Sequence, residues 1–182
     1  ELAARNALQR RRLNPTLGGR TANEAGTEGT PIYASDIGYV QHIDMETLQG
    51  IAEAVDARIT VSCLPGAFTS PGKPVAFLSG EGDELQDEVR DKISHAFLIA
   101  DQRSFDEDPR FGLIVLSEIA ARALSPAVND PGTAIAIIGT IVRLFAGWIQ
   151  PLSDEERSEI RFDNVYVPEL SLAVFRSDTS GQ

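Results

Sequence analysis

The sequence predicts an α+β fold: a small mixed sheet carrying one helix, then a three-helix half built around a buried apolar helix at 131–148. Three observations predict it. Residues 39–43, 59–64 and 74–78 alternate or run apolar over strand lengths, with turn residues between them. Residues 84–100 and 112–124 place apolar side chains at helical spacing. Residues 131–148 are apolar nearly all round, with Arg143 as the single charge.

Taken in order, Glu1 to Leu13 is helical in composition and ends in Arg10-Arg11-Arg12. A basic cluster after a helix marks either the cytosolic edge of a membrane span or a solvated arm. Residues 14–35 are rich in Gly, Thr and Asn and are expected as a linker, although Ile32-Tyr33-Ala34 is extended in character. A soluble α/β domain is then expected over 36–176, with a polar tail at 177–182. In 39–43, Tyr39, Gln41 and Ile43 alternate against Val40 and His42, as in a half-buried strand. Asp44 is a capping residue for a helix from Met45 to Val55 with Leu48, Ile51, Ala52 and Val55 on one face. Ile59, Val61 and Cys63 share a strand face, and 65–72 is turn chemistry before a short returning strand at 74–78. Residues 84–100 are expected as one amphipathic helix whose acidic first half suits the helix dipole.

The first of the two polar concentrations is Asp101 to Arg110, containing Arg103, Asp106, Glu107, Asp108 and Arg110. The second is the corner between the last two helices. Ser125 precedes Pro126, which pushes it out of helical geometry, so the first of these helices should end near Leu124. Asp130-Pro131 is a start signal, with Asp as cap and Pro in the first turn of a helix reaching Trp148. Glu118 and Arg122 are spaced to pair. Gly132, Ala136 and Thr140 recur every four residues, a spacing that lets another helix approach closely. The apolar helix is expected to be sheathed by protein, any leftover area serving an oligomer contact; a membrane span is the competing reading. The candidate ligand-binding set is Arg103, Asp106, Asp108, Arg122, Ser125, Asn129, Asp130 and Thr133, expected to converge at this corner through salt links and caps.

Composition bounds the function. The chain has 182 residues and a net charge of −11, which argues against nucleic-acid binding. One cysteine, Cys63, excludes an internal disulfide and reads as a buried apolar residue. His42 and His95 lie apart from any zinc spacing, and the acidic segments lack calcium-loop spacing, so no metal site is expected and no cofactor is specified. The chain opens without Met inside a helix and is expected to be part of a longer protein.

Several motifs together resemble a bacterial predicted-membrane-protein family, domain of unknown function 2254. They are Gly38 to Asp44, Pro65-Gly66-Ala67-Phe68 with Gly72-Lys73-Pro74, Arg103 with Asp108 to Gly112, and above all the long run Arg122 to Ala134. The resemblance covers about Asp36 to Phe175 and departs from the family pattern at Glu107, where Gln is expected. It implies transmembrane helices outside this chain, anchorage in the bacterial inner membrane and a cytoplasmic place for this domain, but it carries no activity. Three functions stay open. A regulatory or assembly domain would form a homo-oligomer through the apolar helix. A small-ligand or cation module would use the polar corner. A hydrolase would use Ser125 with Asp108, Asp130 or His95, although the glycines of a nucleophile elbow are absent.

Overall fold

The computed structural model describes residues 1–22, 28–80, 87–153 and 159–170. It divides into two compact units, a helical one (Glu1–Leu13 with Ser104–Arg157) and a sheet one (Asn14–Arg103 with Ser158–Gln182). The α+β class is as expected; the assignment of strands to sheets is not.

In the sheet unit, β1 (Gly19–Thr21), β2 (Thr30–Tyr33), β4 (Ala57–Val61), β6 (Pro74–Gly80) and β8 (Phe162–Val167) form a five-stranded mixed sheet in the order β1-β8-β4-β6-β2. A second sheet, antiparallel throughout, has β3 (Gly38–Ile43) between β5 (Phe68–Thr69) and β7 (Phe97–Ala100). The single sheet expected from 39–43, 59–64 and 74–78 is thus wrong in one member: β3 belongs to the other sheet. The expected linker at 14–35 is also wrong, since it supplies β1 and β2. Short edge strands rich in Gly and Thr draw order from backbone pairing with their neighbours, which composition does not reveal.

β4 lies between β6 and β8, and its Ile59, Thr60 and Val61 are all buried rather than alternating. A strand covered on both faces loses the period-two signal. β3 departs from alternation for another reason. Its pairing with β7 shifts register between Val40 and His42. The irregularity lets Val40 and Ile43, which strict alternation would place on opposite faces, both turn inward.

Helix α2 (Met45–Ala54) starts at Asp44, whose carboxylate accepts from Thr47 N at 2.9 Å and from Thr47 Oγ1 at 2.7 Å. It buries Met45, Leu48 and Ala52, while Val55, expected on the same face, is exposed just past its end. The amphipathic helix expected at 84–100 is shorter: α3 covers Asp87–His95, residues 84–86 lie outside the described residues, and 97–100 is β7. Phe97-Leu98-Ile99-Ala100 is short and apolar, where helical and strand periods are not separable, and pairing with β3 decides. One apolar cluster joins Leu48 and Ala52 of α2, Ile93 of α3, Val40 and Phe97 of the small sheet, and Ile59, Val75 and Val165 of the large one. Cys63 is in that cluster.

The helical unit packs α1 (Leu2–Leu13), α4 (Phe111–Ala123) and α5 (Pro131–Trp148) against one another. The third helix of this half is therefore α1, not 84–100. α1 passes close to α4 at Gly112, where an added Cβ would stand 2.3 Å from Ala4 Cβ. The small residue that admits a neighbouring helix is this glycine. Gly132 and Ala136, two of the three small residues expected to do so, are exposed.

Candidate functional site

The two helix boundaries at the corner form as the sequence implies. Ser125 N and Oγ both donate to Arg122 O, at 3.1 and 2.7 Å, ending the turn after α4. Asn129 takes a left-handed conformation, φ 46°, and its N donates to Ser125 O at 2.8 Å. Asp130 N returns to Ala123 O at 2.8 Å. The Asp130 carboxylate then caps α5, accepting from Thr133 N at 3.0 Å and from the Thr133 hydroxyl. These bonds from Thr133 hold the Asp130 pKa below the usual carboxylate value.

The corner is held by caps and backbone bonds rather than by salt links. Arg122 is exposed, and no ion pair joins it to Glu118 among the described residues. Within the helical unit, the candidate residues do not converge. Asp106 and Asp108 precede the first turn of α4, while Ser125 to Thr133 follow its last. An α4 of 13 residues separates the two groups by about 20 Å. Arg103 belongs to the sheet unit, with its guanidinium 5.5 Å from the centre of the Tyr39 ring. The Ser125 hydroxyl is committed to a helix-end carbonyl, which is not the geometry of a nucleophile held by a base. His95, in the sheet unit, places Nδ1 2.7 Å from Asp91 O.

The structure instead gathers a charged cluster at the start of α4. Asp108 is 3% exposed, and its Oδ1 accepts from Arg110 N at 3.0 Å with Arg110 Nε at 3.7 Å. Arg11 of α1 is 4% exposed, and burial lowers its pKa to about 10, against the opposing pull of Glu107 and Asp108. The cation persists at neutral pH. Its neighbours are engaged too: Arg10 donates to Asp106 O at 2.7 Å and Arg12 to Gln150 O at 2.9 Å. Arg10 and Arg12 thus act as tertiary clamps on either side of the buried Arg11. The sequence did hold a signal for it. Ala4, Ala7, Leu8 and Arg11 fall on one helical face, and all four are buried.

α5 presents three surfaces. Ala134, Ile137, Thr140 and Leu144 are buried. Ile135, Ile138, Val142 and Ile149 form an exposed apolar stripe, 55–69% accessible. Arg143 lies between the two. The expected sheath is therefore only half present. An all-apolar sequence specifies that no face prefers water, not that every face finds a neighbour, and two helices cover one side of a third. Beside the Arg143 edge, α1 and the second half of α5 enclose a cleft of about 330 Å³ lined by Arg5, Leu8, Arg12, Arg143, Leu144 and Trp148, among others.

By length and composition, α5 is long and apolar enough to cross a membrane. The chain belongs to the family described as predicted membrane protein, DUF2254, whose model matches residues 2–181. It is 30% identical over 115 residues to the uncharacterized proteins Rv1290c of Mycobacterium tuberculosis and Mb1321c of Mycobacterium bovis. Each match covers 61% of this chain and 22% of the relative, so the chain matches about a fifth of their length. No solved structure matches it.

Proposed function

We propose that this chain is a cytosolic regulatory or assembly domain of a bacterial integral membrane protein, anchored in the inner membrane through segments outside the chain. The observation that carries the reading is the apolar stripe of Ile135, Ile138, Val142 and Ile149, exposed on a helix whose opposite face is packed. A contiguous apolar surface of this kind marks a contact with a partner or a bilayer. The occupant proposed is the same helix of a second copy, since a helix stripe that packs on its own symmetry mate closes a dimer with no further partner. The family description supports the membrane setting. The corner-ligand and Ser125-hydrolase readings lose support from the separation of their residues and from the Ser125 hydrogen bond.

Two measurements test it. Size-exclusion chromatography with light scattering on the chain at tens of micromolar should give a dimer or larger; a strict monomer at higher concentration overturns the assembly role. A reporter fused to this domain in the full-length protein should read cytoplasmic; a periplasmic reading overturns the placement.

A further inference from the structure

We propose that the cleft between α1 and α5 is a binding site for a phosphate group carried on an apolar body, with an anionic phospholipid headgroup as one source and a soluble phosphate ester as the other. Arg5, Arg12 and Arg143 line the cleft together with Leu8, Leu144 and Trp148. Three guanidiniums on one cleft run against the chain's net charge of −11, so bulk charge does not explain them. Guanidinium forks suit phosphate oxygens, and the adjoining apolar side chains suit hydrocarbon. The volume of about 330 Å³ is in the range of small-ligand sites.

A further observation points to an anion. Arg12 is pinned by its bonds to Gln150 O and Pro151 O, which holds its side chain at the cleft. Glu1 Oε1 already accepts from Arg5 at 3.1 Å and stands 4.0 Å from Arg143, so the two cations share one carboxylate. Both pairs are exposed and therefore weak, and a phosphate of higher charge displaces that carboxylate. Arg143 holds Thr140 Oγ1 at 2.8 Å, which orients its fork toward this side of α5. The site lies about 100° around the helix from Val142, so it does not depend on the apolar stripe or on assembly.

The test uses the whole chain, vesicles of phosphatidylcholine with or without phosphatidylglycerol, and glycerol phosphate in solution. The chain should sediment with the anionic vesicles and not the neutral ones. Arg5→Glu with Arg143→Glu should weaken this by about ten-fold or more at an unchanged Tm. Arg20→Glu with Arg161→Glu, an equal charge change in the sheet unit, should leave it intact. Indifference to the vesicles with glycerol phosphate bound below about 1 mM, and lost in the first variant, assigns the site to a soluble ester. Binding to neither probe, or equal losses in both variants, overturns the site. Vesicle and ester binding are read separately from sizing, so this failure is distinguishable from failure of the assembly role.

Discussion

Asp44 and Asp130 do the same work at two helix starts. Each is followed three residues later by a threonine that donates both its backbone N–H and its hydroxyl to the carboxylate. Both pKa values fall, for Asp44 chiefly through the Thr47 backbone N–H and for Asp130 chiefly through the Thr133 hydroxyl. A depressed carboxylate stabilises the fold above its unfolded pKa of about 3.9, and that stability is lost as pH falls through the lower folded value. Asp44→Ala should cost about 1 kcal/mol in urea denaturation at pH 7, and its deficit against the parent should shrink as the pH is taken below the folded value. Asp130→Ala should lower the thermal midpoint at pH 7, whereas Asp130→Asn, still a good cap, should lower it less. Arg11 runs the opposite way. Its folded pKa of about 10 lies below the unfolded value, so burying the cation costs stability at neutral pH, a cost relieved only as pH rises above 10. Removing it is nevertheless worse, because Asp108 stays buried beside it. Arg11→Ala should destabilise by about 3 kcal/mol in urea denaturation.

At the scale of elements, α1 and α4 meet where Gly112 leaves room for Ala4. A Cβ there would meet Ala4 Cβ at 2.3 Å and Ala4 Cα at 2.8 Å, so the helices must part. Gly112→Ala should cost about 1–3 kcal/mol by overpacking, measured as a fall in Tm, with partial recovery on adding Ala4→Gly. The role of Gly112 is not legible in the sequence, because glycine at the start of a helix reads as a weak helix former until its neighbour is known. The limits of α5 were legible for the opposite reason. Asp130, Pro131 and Thr133 form a local signal that needs no partner, and the helix begins where they place it. The short segment 97–100 carried no such signal, and its pairing with β3 settled its type.

For the whole molecule, the consequential feature is an acidic chain that keeps an apolar stripe open on α5 and gathers arginines beside it. Ile138→Glu with Val142→Glu replaces two exposed side chains, so the thermal midpoint should hold while the oligomer seen by light scattering falls to monomer. A collapse of the midpoint instead would mean that the stripe is packed within the monomer. Within the helical unit, the polar residues expected at one corner are divided between the two ends of α4. Density of charge along a sequence does not predict convergence when a rigid helix of about 20 Å runs between the charged segments.

By itself, the sequence determined the α+β class, the capped starts of α2 and α5, the turn that ends α4 and the family. The caps and the turn rest on interactions within a few residues, the class and the family on patterns along the chain. Only the tertiary structure decided which strands share a sheet, that Gly19–Thr21 and Thr30–Tyr33 pair as strands, that Arg11 goes inward while Arg10 and Arg12 clamp, and that half of α5 stays uncovered. Those outcomes depend on which distant backbone or side chain satisfies a polar group or covers an apolar one, and periodicity records the need for a partner without naming it.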